Sequence, residues 1–296
     1  MIFKLLRYTV FLFVLSFSLQ NCSDSYEQET QNWKQERFKE LKAPYAWPSV
    51  VGLYTIQDSL TTFGSNTNNN VIIEKGPASF GYLSKVASGV AITRDPGSKG
   101  HIDGEEFQSV NLKTDRHPDG PSYGTYNSLQ WHIIDREGNY FLRVKDTLSI
   151  YRNALTSITS YPIDKNYRIE GTVDEKIPPH AKLSYKNILC MDITTKIAAV
   201  IKFQWEGKEY ALTGTNSGDE NYMVMVHDMT TGIDTYGGGR YLYPKKADQN
   251  GKVILDFNKL ENPPCVFTPY ATCPLPPKRN HLPFELLAGE KMLHLY

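Results

Sequence analysis

The chain has no surplus of either charge: 32 Lys and Arg face 32 Asp and Glu across 296 residues. Without a net positive field there is nothing to hold a phosphate backbone, which excludes a general nucleic-acid binder. Cysteine is scarce, with four in all, so a disulfide-dense small scaffold is excluded. The sequence contains no His-x-x-x-His, no Gly-x-Ser-x-Gly and no paired-carboxylate motif, which removes the enzyme classes that depend on them. Neither a cofactor fingerprint nor a metal-ligand set is indicated. Long apolar runs are absent apart from one of about 12 residues near the start, shorter than the ~20 a membrane-spanning helix needs. What remains is 40% hydrophobic and 12% aromatic, enough apolar material for one large core or two small ones.

The one apolar run has a definite setting. Lys4 and Arg7 precede it, no acid stands before it, and Tyr8 to Leu19 leads into Gln20-Asn21-Cys22. A positive start, an apolar stretch and a short cleavage region make a secretory signal peptide. Leu19 followed by Gln20, Asn21 and Cys22 resembles the lipobox of bacterial lipoproteins, with Gln20 and Asn21 standing where smaller residues are usual. The resemblance implies that Cys22 becomes the mature N-terminus and carries acyl chains that anchor the protein to a membrane. Ser23 beside that cysteine resembles lipoproteins sent to the outer membrane. Removal of Lys4 and Arg7 leaves 30 basic and 32 acidic residues, a mature charge near −2. Anionic lipid heads would not attract such a chain by net charge.

Four parts are expected along the chain. Residues 1–21 are the signal peptide and 22–45 a tether with a short amphipathic helix. A β module over 46–150 and a second over 151–296 complete it. Within the tether, Glu27 to Lys42 reads as a helix with Trp33, Phe38 and Leu41 near one stripe, stopped at Pro44. From Trp47 onward the pattern is short β segments. Val50–Ile56, Val71–Ile73, Phe107–Leu112 and Trp131–Ile134 are the clearest. Two hairpins are nearly explicit, one turning at Arg136-Glu137-Gly138-Asn139 and one at Glu206-Gly207-Lys208-Glu209. Strand signals about 8–12 residues apart predict an all-β protein of sandwich or barrel-like modules. The division between modules falls in the Ser/Thr-rich stretch from Leu148 to Tyr161.

Leu60–Ser65, Val71–Ile73 and Ser79–Gly81 loosely resemble the forkhead-associated β-sandwich. That family holds phosphothreonine with an Arg beside the Gly. Here Ser65 stands there and no His accompanies Gly81, so the resemblance implies the sandwich and not the phosphopeptide. A denser signature lies nearer the end: Asp228 to Leu242 with Gly237-Gly238-Gly239-Arg240-Tyr241, Asp256-Phe257-Asn258, Asn262-Pro263-Pro264-Cys265, Tyr270 to Pro277, Asn280-His281-Leu282 and Ala288-Gly289-Glu290. This pattern resembles the family termed domain of unknown function 1684, whose bacterial and archaeal members are often secreted or lipid-anchored. The resemblance implies a fold and brings no activity.

Several residues are therefore read for their own chemistry. In Lys252 to Asn258, Val253, Leu255 and Phe257 alternate with Ile254, Asp256 and Asn258. Asp256 and Asn258 thus share a face and are expected to tie down the Pro-rich loop that follows, whose prolines cannot donate. The rival is a polar site floor with Asp256 as acid, base or metal ligand. A hydrolase reading joins Asp256 and Glu290 as acid and base, steadied by Arg240, Tyr241 and Asn258. Arg240 is equally open to a structural bridge with Asp256 or Glu290, and the glycines before it to a simple strand connection. Cys265 and Cys273 close a nine-residue loop, read first as a disulfide outside the inner membrane. A metal pair completed by His281 or Asp256, or a free thiol, are the alternatives. Cys190 is expected to be a buried apolar thiol and His227 a packed side chain.

Three functions follow from these readings. The first is a lipid-anchored, outer-membrane envelope protein that binds a glycan, peptide or protein without catalysis, its 19 tyrosines suited to contact surfaces. The second is an envelope hydrolase using Asp256 and Glu290. The third is a purely structural envelope protein.

Overall fold

The structure is a computed structural model describing residues 25–98, 100–174, 177–178 and 180–296. The signal peptide and Cys22 lie outside the described residues. Helix α1 spans Ser25–Leu41, within one residue of its expected end. No helix among the described residues is long and apolar enough to cross a membrane.

The first set of strands is β1 (Val50–Thr55), β2 (Thr61–Gly64), β3 (Val71–Ile72), β4 (Gly81–Val86), β5 (Gly89–Thr93), β6 (His101–Ile102), β7 (Ser109–Leu112), β8 (Gly124–Tyr126), β9 (Leu129–Arg136) and β10 (Asn139–Asp146). They form two five-stranded sheets, β1-β10-β9-β8-β6 and β3-β2-β4-β5-β7. The inner faces meet over one core that includes Phe63, Phe80, Leu83, Ile92, Trp131, Ile133 and Leu142. Phe63 stacks on Phe80 at 4.9 Å and meets Trp131 edge-on at 5.2 Å. The two sheets pack face to face as a β-sandwich.

Short helix α2 (Ile150–Ala154) follows, capped by the Ser149 hydroxyl, which accepts from the Tyr151 amide. The second set is β11 (Arg168–Val173), β12 (Lys182–Lys186), β13 (Asp192–Lys196), β14 (Ala199–Trp205), β15 (Lys208–Ser217), β16 (Asn221–Val226), β17 (Arg240–Leu242) and β18 (Lys252–Asp256). Six of them form the antiparallel sheet β17-β16-β15-β14-β11-β18, and β12 pairs with β13 as a separate hairpin. The second core collects Ile201, Phe203, Leu212, Val224, Leu255, Phe257 and Leu286. The chain is thus all-β with an N-terminal helix, as expected.

Both anticipated hairpins form, and their turns are tighter than a lone glycine requires. Glu137 and Gly138 have φ of 55° and 80°, and Glu206 and Gly207 have 49° and 76°. Positive φ at both central positions is the type I′ geometry, whose twist matches that of paired strands.

Helix α1 differs from the apolar stripe expected of it. The face it buries runs through Tyr26, Thr30, Lys34, Arg37 and Leu41, mostly polar, at helical spacing. Leu41 and Phe38 pack with Leu155, Val266 and Phe267, while Trp33 stands outside that cluster. The rest of the face works by charge and hydrogen bonds. Tyr26 donates its hydroxyl to Asp256 at 2.7 Å, and Arg37 Nε lies 3.1 Å from Glu261 and 3.3 Å from Glu290. The helix is therefore fastened to the second β unit at both ends.

One glycine marks how tightly the first core is closed. A Cβ on Gly124 would sit 2.0 Å from the Trp131 indole. We expect Gly124→Ala to cost about 2 kcal/mol through a displaced Trp131, measurable as a lowered urea midpoint with an unchanged slope.

Candidate functional site

Arg240 is fully buried at the start of β17. Its Nη2 donates to Asp228 at 2.9 Å and to the Leu286 carbonyl at 3.0 Å. Its Nη1 donates to the carbonyls of Ala288 and Glu290. Asp228 Oδ1 in turn accepts from Thr230 and from the Leu286 amide. The guanidinium is thus spent on an ion pair and three carbonyls, a structural bridge to a partner not foreseen, Asp228. The preceding glycines form a turn in which Gly239, at φ 77°, donates its amide to Tyr236. A Cβ on Gly239 would meet the Val226 carbonyl at 2.6 Å, so the glycine serves close approach.

Glu290 and Asp256 sit in separate polar clusters. Glu290 Oε2 accepts from the Asn262 amide at 2.6 Å and Oε1 faces Arg37. Burial pushes its carboxyl up, against the pull of Arg37. Its neighbour Glu261 is pushed up to about 7, first by burial, with Arg37 opposing and Glu290 reinforcing. Asp256 belongs with Tyr26 and with Asn258, whose Nδ2 lies 3.3 Å from it. Asn258 is not on the strand: it occupies a 3-10 turn, Phe257–Lys259, just beyond β18. Its amide group brackets Asp164, accepting from that amide at 3.0 Å and donating to that carbonyl at 2.8 Å. Asp256 and Asn258 therefore hold helix α1 and the 161–166 segment, a correction to the expectation that they tie the Pro-rich loop. Neither acid lines any of three cavities of about 340–400 Å³ among the described residues, each of which is built from other residues.

Cys265 and Cys273 are buried side by side, with no disulfide between them in this structure. The Cys265 amide donates to Cys273 Sγ at 3.1 Å, which fixes the loop ends by a hydrogen bond. Burial pushes the Cys273 thiol well up. No group of three or more metal-ligating side chains occurs among the described residues. Cys190 corrects its expectation outright, being exposed in the turn between β12 and β13 with φ 60°. That turn folds around Asn187, whose Oδ1 accepts from the amides of Leu189 and Met191, and this leaves the thiol outside. His227 is half-buried and stacks on His281, centroids 4.2 Å apart.

A different place has the form of a binding site. Between the two β units lies an open cleft of about 400 Å³. Trp47, Tyr185, Tyr241 and Tyr243 supply aromatic surface, and Arg116 and Arg136 supply charge. Tyr241, one of the expected site residues, is held by its hydroxyl donating to the Pro274 carbonyl at 2.6 Å. Arg136 ends β9, pairs with Asp115 at 2.7 Å and donates through Nε to Thr272. The sequence offered little sign of this cleft, because its walls come from segments over 200 residues apart. One trace existed in the twin Asp-Arg steps, Asp115-Arg116 and Asp135-Arg136, brought together by the bridge between Thr114 and Ile133.

Comparison with known proteins finds similarity over the second half of the chain and brings no activity. Residues 153–291 match the model of a family described as protein of unknown function (DUF1684). Among solved structures, an uncharacterized protein of Haloarcula marismortui, determined in solution by NMR, is 27% identical. That match covers 47% of this chain and 78% of the archaeal one, with a TM-score of 0.39. No curated protein matches.

Two outcomes follow for the polar clusters. Asp228→Ala strands the buried Arg240 charge and should cost about 3–5 kcal/mol in chemical denaturation. Glu261, whose native carboxyl titrates near 7, keeps its proton in the folded state above the pH at which the unfolded chain loses it. Stability should accordingly fall as pH rises from about 4.5 to 7, by on the order of 2 kcal/mol, and Glu261→Gln should flatten that slope.

Proposed function

We propose that this chain, whose residues 153–291 belong to the DUF1684 family, is a lipid-anchored envelope protein that binds a glycan in the cleft between its β units. The observation carrying this reading is the cleft's composition. Three of its aromatic side chains, Trp47, Tyr185 and Tyr243, keep part of their surface exposed beside hydrogen-bonding groups of Arg136 and Thr272. Flat apolar faces bordered by polar donors suit the alternating apolar and hydroxyl surfaces of a sugar ring. The walls are rigid, since Tyr241 is pinned to Pro274 and Arg136 to Asp115. A preformed site spends little on ordering itself. The hydrolase reading finds no such support, because Asp256 and Glu290 are occupied in separate structural clusters.

The address remains that of the sequence: export, acylation at Cys22 and the outer membrane. Helix α1 begins at Ser25, three positions after Cys22, and is fastened to the second β unit. Three extended residues reach about 10 Å, so an acylated Cys22 would hold the body close to the bilayer. Export also brings Cys265 and Cys273 before the thiol oxidants of the envelope. There the adjacent thiols would give up two protons and two electrons and close as a disulfide, worth about 2–3 kcal/mol for so short a loop.

Screening the purified protein against envelope glycans tests the cleft. Tyr185→Ala and Tyr243→Ala should each weaken the bound glycan about tenfold, near 1.4 kcal/mol, with thermal stability unchanged. A screen without a binder, or binding indifferent to both changes, would refute the reading. Fractionation tests the anchor, since Cys22→Ser should shift the protein from the membrane to the soluble envelope fraction.

A further inference from the structure

The cleft is positive, and the source of that charge is buried behind it. Of the side chains lining it, Arg116 and Arg136 are cationic and Asp115 alone is anionic. Asp115 is fully engaged, with Oδ2 on Arg136 at 2.7 Å and Oδ1 accepting from the Asp135 amide at 2.9 Å. Arg136 bonds through Nη1 and Nε, whereas exposed Arg116 makes one long contact, from Nε to the Asp135 carbonyl at 3.5 Å. Behind Trp47 lies Arg143, 4% exposed, its guanidinium 5.0 Å from the indole centroid. Its Nε and Nη2 have no hydrogen-bond partner. Beside it on β10, Lys145 is pushed down to about 8, first by burial and then by Arg143. His132, opposite Arg143 on β9, is pushed down to about 3 by burial and is neutral at pH 7. Arg136 adds like charge beside Arg143, Asp115 is the acid that opposes it while being paired to Arg136, and the thiols Cys265 and Cys273 face it from the other unit.

A charge so placed is costly to the folded protein and projects a field where low-dielectric walls concentrate it. We propose that the cleft selects an acidic oligosaccharide, its carboxylate received by Arg116 with Arg136 beside it and its sugar faces laid on Tyr185 and Tyr243. This rests on the glycan reading of the cleft and adds the charge of the ligand. Guanidinium groups meet carboxylates with paired donors, the geometry that a uronate ring presents. Burial pushes the Tyr185 phenol up, and Arg116 is near enough to oppose that rise while Glu137 adds to it, which places the cation beside one aromatic platform.

Calorimetry of the full-length protein with trigalacturonate, its trimethyl ester and triglutamate separates the possibilities. The acid should bind at least tenfold more tightly than the ester, and added salt should narrow that gap. Arg116→Gln should remove the difference by weakening the acid to the ester's level, with the thermal midpoint unchanged. Equal affinity for acid and ester, or a preference that survives Arg116→Gln, would overturn the acidic selection and leave the glycan reading standing. Binding of neither sugar would overturn both. Triglutamate bound as tightly as trigalacturonate would overturn the assignment to a sugar.

Discussion

The Arg240 guanidinium is the point through which the second β unit, the end of the chain and the helix are joined. Three of its four hydrogen bonds draw residues 286–290 onto the sheet edge at β17, and the fourth holds Asp228. That placement sets the Glu290 amide on the Leu260 carbonyl and the Glu290 carboxylate under Arg37 of helix α1. The next residue, Tyr241, carries the same fixed backbone into the cleft wall. A single buried cation thus determines where the tail lies, where the helix docks and how the cleft is edged. Buried ion pairs are poor sources of net stability compared with apolar packing, but breaking one leaves an uncompensated charge. Arg240 is therefore better understood as fixing one arrangement than as strengthening it.

The other buried cation has the opposite character. Arg240 has an acid and three carbonyls, whereas Arg143 has the face of Trp47 and two nitrogens unsatisfied. Stacking on an indole recovers about 2 kcal/mol at most sheltered sites, less than the desolvation of a guanidinium. The imbalance is confined to the sheet face turned toward the cleft, where Lys145 shares it. Arg240 leaves only its Nε without a partner and has an acid against its charge, whereas Arg143 leaves both Nε and Nη2 unpaired and makes no ion pair among the described residues.

How much of this could be read from the sequence depends on distance along the chain. The hairpins at Glu137-Gly138 and Glu206-Gly207 were legible because a two-residue turn and its flanking strands are local facts. Alternation in Val253, Leu255 and Phe257 was legible for the same reason, and all three are buried. Asp228 as the partner of Arg240 was not, since any of several acids had the right chemistry and none the right address. Nor was the docking face of helix α1, because Tyr26, Lys34 and Arg37 read as solvent-facing until a second unit supplies Asp256, Tyr161 and Glu261. The cleft fails the same test more severely, being a surface that no segment possesses alone.

The Pro-rich signature itself becomes intelligible as a problem in hydrogen-bond supply. A segment rich in proline has carbonyls to offer but few amides, so it cannot extend a sheet by itself. Asparagines make up the deficit at both of its ends. Asn280, fully buried, donates to the carbonyls of Thr213 and Met225 and accepts from the Thr213 amide, standing in for a missing strand across β15 and β16. At the other end the turn around Asn187 presents the Ile188 amide to the Cys273 carbonyl, and the Leu275 amide returns to Lys186. Between these clamps, the Pro274 carbonyl is left to accept from Tyr241. The prolines thus keep the strand count from growing at an edge where further pairing would close the cleft. The asparagines keep that interrupted edge from costing buried, unpaired backbone. On this account the unusual composition between residues 262 and 282 is reconciled with a paired backbone beside an open cleft.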